Sequence, residues 1–383
     1  VTARCASMHG SAGTGLPPSD PGRLGDLVTA QLGRLCEVAQ FDRADAQTYA
    51  RVLTDGLGPV AVRSLALPPP SNSFLSDDHT PVEFSLAFQP GATPALRVLL
   101  EPGAGTEDLA ANGRTGLRVI REMAERWKFS TARLDQLEDL FFPASPEGPL
   151  ALWCALDLRP GGVPGVKVYL NPAANGYDRT EETVREALAR LGYRDAFDTL
   201  PSGDGLPFVA LDLGAWKAPR VKVYVTHEQL VAEQAAEIPR GASDRERDEA
   251  RSFFRTIAGG SEEGGDDGEG PLIRRALTCH SFTETATGLP SGYTLHMPVR
   301  GYVRDDGQAR GRAVAVLRRL GMDSAALDRA LSAATSRPLD DGVGLLAYVA
   351  LVHQRGQAPR VTVYVSSEAY EVQPPRQALR TGR

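Results

Sequence analysis

An α+β architecture, ten antiparallel strands closed into a barrel and ringed by helices, is what the residue order leads one to expect. Strand-like runs come in pairs, five times over, and each pair is preceded by a segment of helical periodicity. The second strands also share a motif. Val166-Lys167-Val168-Tyr169 returns as Val221-Lys222-Val223-Tyr224 and, altered, as Val361-Thr362-Val363-Tyr364. Pro219-Arg220 and Pro359-Arg360 precede the last two copies. Ten strands in one sheet leave two unpaired edges, which closure removes. An open sheet with helices on one face fits the same order.

The elements run as follows. Residues 1–22 are rich in Gly, Ser and Pro and are expected to be disordered. A single domain is expected over 23–372, with a tail at 373–383. Leu24, Leu27, Leu32, Leu35 and Val38 recur at helical spacing and predict helices over 23–57. A loop over 68–81 leads into strands Val82–Phe88 and Leu96–Glu101, joined at Gln89-Pro90-Gly91. Leu117, Ile120, Met123 and Trp127 mark helices within 106–140. Strands Leu150–Leu158 and Val166–Leu170 flank a Pro-Gly-Gly turn. Thr180 opens a helix to Leu191, with Glu181 and Glu182 near the positive end of its dipole. Strands Pro207–Leu213 and Arg220–Val225 follow, then helix over 227–258. Residues 259–270 form an acidic surface loop. Strands Ala276–Thr285 and Tyr293–Val299, helix Arg310–Ala334, and strands Gly344–Gln354 and Arg360–Val365 complete the chain.

Composition narrows the function. The chain has 383 residues, 42% of them hydrophobic, and a formal net charge of −6. It has no basic tract, and its acidic balance repels phosphate backbones, so no nucleic-acid partner is expected. No run of about 18 apolar residues predicts a membrane span. Cys5, Cys36, Cys154 and Cys279 lie far apart without a CxxC, and the N-terminus lacks the pattern of a secretory signal. A reducing cytoplasm fits both observations. A monomer or homodimer is expected. Only four residues are lysine, and two of them, Lys167 and Lys222, sit in the repeated tetrapeptide.

Strand alternation puts Arg220, Lys222 and Tyr224 on one face and the valines on the other. If the charged face looks inward, Arg97, Lys167, Arg220, Lys222 and Arg360 crowd one lumen. Few acids match them: Glu83, with Glu101 and Asp157 as further candidates. Buried cations without partners cost several kcal/mol each. Water or a polyanion must therefore fill the lumen, and guanidinium and ammonium groups suit the oxygens of a diphosphate. The other reading makes this the solvated outer face. Tyr169, Tyr224 and Tyr364 would lie one layer further along. There their rings can shield a carbocation, each stabilising it by about 0.5–2 kcal/mol, and exclude water. Enzymes that ionise prenyl diphosphates with magnesium carry DDxxD. Asp77-Asp78, Asp266-Asp267, Asp305-Asp306 and Asp340-Asp341 all lack the third Asp, so cations replace the metal as counter-charge. His79, His280 and His296 show no metal-ligand spacing, and no Walker loop, HExxH or GxSxG is present.

Residues Ser76-Asp77-Asp78-His79-Thr80-Pro81-Val82-Glu83, Arg97 in its strand, the Lys-x-Tyr strands and His296-Met297-Pro298-Val299-Arg300-Gly301-Tyr302 resemble the dimethylallyltryptophan synthase family of aromatic prenyltransferases, over roughly residues 24–370. The resemblance is closest to bacterial indole-prenylating members. It implies the ABBA barrel, five repeated α-β-β-α units, and metal-independent transfer from dimethylallyl diphosphate to an indole, most often L-tryptophan. By the same resemblance Glu83 accepts the indole N–H, and the main chain near Phe74 and Leu75 helps hold the amino-acid end. Arg97, Lys167, Arg220, Lys222 and Arg360 grip the diphosphate, and Tyr169, Tyr224 and Tyr364 shield the cation. No cofactor is implied.

Two departures stand out. Fungal members show Gln-x-Tyr where this chain has Thr294-Leu295-His296, so either a diphosphate contact and a shield are altered or His296 serves as both. Members that attack C4 use a lysine on the strand that here runs Leu150–Leu158, which has none. C4 attack is therefore disfavoured against C6, C5 or C7, of which C6 is the expected carbon. The final base is Glu83, His296 or water. The rival functions are prenylation of another aromatic, such as indole N1, a cyclic dipeptide, a phenol or a naphthoquinone, and a barrel that only binds a phosphorylated ligand.

Overall fold

The computed structural model describes residues 22–214, 216, 219–260, 273–283, 285 and 287–376. Ten strands among them close into one antiparallel barrel. They are β1 (Val82–Phe88), β2 (Ala95–Leu100), β3 (Leu152–Asp157), β4 (Gly165–Leu170), β5 (Val209–Leu213), β6 (Val221–Val231), β7 (Ile273–Phe282), β8 (Gly292–Met297), β9 (Leu346–Gln354) and β10 (Arg360–Ser366). Each pairs with its sequence neighbours, and β1 pairs with β10, Glu83 opposite Ser366 and Phe88 opposite Val361. The open sheet is excluded, because no edge remains.

The main core lies outside the barrel, between its outer face and the helices. Leu24, Val28, Leu32 and Leu35 of helix Leu24–Val38 are fully buried. The motif valines Val166, Val168, Val221, Val223, Val361 and Val363 are also 0% exposed. Their burial settles which face is which: the valines meet the helices and the charged face looks into the lumen.

Several element boundaries differ from expectation. Residues 227–258 are not continuous helix. β6 runs on to Val231, with a register shift between His227 and Leu230, because β7 begins at Ile273 and supplies a partner ladder. Helices Ala232–Glu237 and Asp244–Ala258 follow, and the second starts on a capping box in which the Ser243 N–H donates to Glu246 at 2.8 Å. Thr180 is the first helical residue rather than the cap, and its hydroxyl donates to the Tyr177 carbonyl. The stretch 310–334 is two helices, Asp306–Arg319 and Ser324–Ala334, separated at Gly321, whose φ of 69° needs glycine. The expected disordered segment 1–22, apart from Gly22, and the acidic loop 259–270, apart from Gly259 and Gly260, lie outside the described residues. Residues 373–376 are tied to the barrel: Gln373 bridges to Val343, and Arg376 donates to the carbonyls of Gly301 and Arg304. Cys36, Cys154 and Cys279 are buried free thiols, and Cys5 lies outside the described residues.

Candidate active site

Strand register stacks the lumen in layers. Towards the hairpin end, Arg97 lies opposite Asp157 and Lys167 opposite Asp212. Arg97 Nε donates to Asp157 Oδ1 at 2.7 Å. Asp212, whose side chain is fully buried, bonds Arg220 Nε at 2.6 Å and stands 3.6 Å from Lys167 Nζ. Burial pushes its carboxyl pKa up, but Lys167, Lys222 and Arg220 outweigh that and hold it below the ordinary range. Sequence reasoning missed Asp212, although alternation along Val209–Leu213 places it on the lysine face. Asp212→Asn is expected to strand two buried cations and cost about 3–5 kcal/mol of stability, measured by denaturant unfolding.

Arg97, Lys167, Arg220, Lys222 and Arg360 thus outnumber the carboxylates beside them, Asp157 and Asp212, and Asp157 is shared with Arg159 at 3.6 Å, so the layer carries surplus positive charge. Burial, then Lys167 and Arg220, pushes the Lys222 ammonium well below its usual value. Burial, then Arg97 and Arg220, pushes the Arg360 guanidinium down to about 9, and its buried Nε has no partner among the described residues. A polyanion would meet both needs.

An aromatic collar lies one layer along. Tyr169 and Tyr224 have ring centroids 5.8 Å apart, Tyr224 and His296 5.8 Å, and His296 and Tyr364 5.9 Å. Burial raises the Tyr224 and Tyr364 hydroxyls above their ordinary range, so the rings stay neutral. Burial, then the Lys222 charge, lowers His296 to about 3, leaving a neutral imidazole whose Nε2 lies 3.3 Å from the Tyr364 hydroxyl. Thr294 takes the cation layer and His296 takes a place in the collar.

The collar opens on a mouth cavity of about 900 Å³. Glu83 lines it, buried, and burial lifts its carboxyl to about 8, against an opposing pull from Arg300. Phe74 and Leu75 stand at the rim. Phe74 is 61% exposed and stacks on Trp153 with centroids 6.4 Å apart. Their loop is built on Asp78, which accepts from the hydroxyls of Ser76 and Thr80 and from the Tyr370 N–H. Glu101 does not join the lumen charges: it accepts from Ser73 Oγ at 2.5 Å and Asn112 Nδ2 at 2.6 Å, pinning the loop to the barrel. Asp77 and Arg300, an ion pair at the mouth, had no role in the sequence reading.

Residues 26–329 match the model of the tryptophan dimethylallyltransferase family. The chain belongs to this family. Like other tryptophan dimethylallyltransferase-family proteins of known structure, it is a closed barrel ringed by helices, and it is a prenyltransferase. The ternary complex of the prenyltransferase PriB with L-tryptophan and dimethylallyl thiolodiphosphate is 66% identical, covering 94% of this chain and 100% of that one, with a TM-score of 0.90. The 5-dimethylallyltryptophan synthase of Streptomyces coelicolor is 58% identical over 95% and 100%, with a TM-score of 0.86. The 6-dimethylallyltryptophan synthase of Micromonospora olivasterospora is 40% identical over 92% and 99%, with a TM-score of 0.82. Among the described residues of this family member no helix is long and apolar enough to cross a membrane.

Proposed function

We propose that this protein transfers a dimethylallyl group from dimethylallyl diphosphate to a benzenoid carbon of L-tryptophan other than C4, with no metal required. The observation that carries this reading is the surplus of positive charge lying directly below the ring collar, with Glu83 above it. A diphosphate ester near neutral pH is close to a trianion, so it satisfies that surplus without magnesium. Arg97, Lys167, Arg220, Lys222, Arg360 and Thr294 hold it. The allylic C–O bond breaks, and its electron pair leaves with the diphosphate. Tyr169, Tyr224 and Tyr364 cover the allyl cation and exclude water.

The indole enters with N1–H on the Glu83 carboxylate and its amino-acid end by Phe74 and Leu75. A ring carbon forms the new C–C bond, and the proton on that carbon leaves. His296 accepts it. The imidazole is neutral in the empty collar, and diphosphate beneath it offsets the Lys222 charge that depresses its basicity. His296→Phe keeps a ring but no acceptor, and is expected to lower kcat about 10²-fold with little change in KM for the donor.

The lumen face of β3 presents Trp153, Ala155 and Asp157 rather than lysine, which speaks against C4. C6 is the carbon we assign. The relatives include a C5 and a C6 enzyme on one fold, and NMR of the product distinguishes C6 from C5 and C7. Incubation with tryptophan and dimethylallyl diphosphate in EDTA is expected to yield full turnover. Absence of prenylated product would overturn the assignment, and recovery only on adding magnesium would overturn metal independence.

A further inference from the structure

The chemistry above leaves one group at the hairpin end of the lumen unused. Trp216, between β5 and β6, has three cations over its ring: Arg159 with Cζ 4.7 Å from the ring centroid, Arg220 with Cζ at 5.1 Å and Lys167 with Nζ at 5.9 Å. All lie within the roughly 6 Å over which an aromatic face attracts a cation. The indole is fixed in place. Its N–H donates to the Leu213 carbonyl at 2.7 Å and to the Val166 carbonyl at 3.1 Å. Leu213 and Val166 face each other across β5 and β4, so the ring folds back over the last rung of that pair. It also lies against Gly165, where an added Cβ would come within 2.6 Å of the ring's Cζ2. Glycine at 165 is what lets the ring sit this close.

Two of the three cations, Lys167 and Arg220, belong to the diphosphate grip, and their side chains are 12% and 13% exposed. Arg159, 33% exposed, stands outside them. Its main chain is clamped by Tyr49, whose hydroxyl accepts from the Arg159 N–H at 2.9 Å and donates to the Arg159 carbonyl.

We propose that Trp216 is the floor of the donor site, a positioning residue that holds Lys167 and Arg220 in place at the lower end of the lumen before the donor arrives. This role rests on the reading of the donor as a diphosphate. Like charges repel, and the one carboxylate between this pair, Asp212, is already shared by both. A further carboxylate beneath them would hold them too, but it would cancel the surplus charge and repel the incoming anion. An indole face attracts cations through its quadrupole and carries no net charge. It therefore orders the grip and leaves the positive charge for the diphosphate. It also covers the underside of the cations, so less hydration has to be stripped when the anion binds.

The test titrates inorganic diphosphate by calorimetry and measures KM for donor and acceptor. Trp216→Leu removes the aromatic face. It should weaken diphosphate binding and raise KM for dimethylallyl diphosphate about 10-fold, with KM for tryptophan and kcat at saturating donor unchanged. Trp216→Phe keeps a face but loses the N–H, and should stay within about 3-fold of wild type. A ring that serves only the fold, through its N–H, would make Phe as damaging as Leu, and that result overturns the floor. Gly165→Ala leaves the tryptophan in the chain but pushes it off its seat, and should reproduce the loss seen with Leu. Wild-type diphosphate affinity in Gly165→Ala overturns the proposal, and this variant decides if Trp216→Leu fails to fold. Emission gives a reading that needs no turnover, since the chain has only three tryptophans, Trp127, Trp153 and Trp216. Diphosphate should change wild-type emission saturably as the charge beside Trp216 is neutralised, and Trp216→Phe should lose that change. Its persistence in Trp216→Phe, or no response in wild type that binds diphosphate, overturns the floor. Wild-type enzyme that binds no diphosphate removes the donor reading, and the floor with it, whereas normal binding in Trp216→Leu removes the floor alone.

Discussion

Glu83→Gln should lower kcat/KM for tryptophan about 10²–10³-fold at pH 8, because the amide still accepts the indole N–H but cannot stabilise the charge that grows on the ring. The pH profile carries the sharper expectation. Burial lifts the Glu83 carboxyl to about 8, so the empty enzyme holds a proton there at neutral pH. The ionised form supplies the stabilising charge, so kcat/KM should rise with pH through about 8 and lose that rise in the variant. Tryptophan binding at pH 7 should release a proton, read by titration calorimetry in buffers of different ionisation enthalpy. Stability moves the opposite way. Between the ordinary carboxylate range and about 8 the native state binds the proton that the unfolded chain has lost, so folding weakens as pH rises. Glu83→Gln removes that slope, and its melting temperature should overtake wild type as pH approaches 8. A flat wild-type profile across pH 6–9 would separate Glu83 from the chemistry.

Lys167→Ala combined with Lys222→Ala should weaken binding of diphosphate and of a non-hydrolysable donor analogue about 10²–10³-fold by calorimetry, since both are buried charges aimed at one anion. The empty variant should unfold no more readily than wild type. Lys222 is repelled by Lys167 and Arg220 in the empty barrel, so removing both lysines relieves repulsion that only an anion offsets. The donor analogue should raise the wild-type melting temperature and barely move the variant's. Unchanged diphosphate affinity would place the donor elsewhere. The two experiments are independent: the first reads the acceptor side of the collar and the second the donor side.

Much of the site could be read from one-dimensional order because a strand has a period of two. Lys167 and Tyr169, Lys222 and Tyr224, and Arg360, Thr362 and Tyr364 had to share faces, and the valines between them had to share the other. The repeat also made ten strands legible, and pairing closes them as expected. Reading failed where a residue's role depends on a distant partner. Asp212 is one acid in an apolar run until β4 brings Lys167 against it and the next hairpin brings Arg220. Glu101 has lumen parity, yet Ser73 and Asn112 claim it. The run from Thr226 to Val231 has polar residues that suit a helix, and it is a strand because β7 extends beside it.

Alternation, then, established which side chains travel together, and charge counting established that their company needs an anion. Those are local properties, set by backbone geometry and by the cost of burying charge. Which face is inside was settled only when helices covered the valines, and which carboxylates answer which cations only when the barrel closed. The Asp77–Arg300 pair joins residues 223 positions apart, and no periodicity can reveal a contact of that separation. Burial completes the division. Glu83 is an ordinary glutamate in the chain, and it becomes a group poised near neutral pH because the closed mouth takes it out of water.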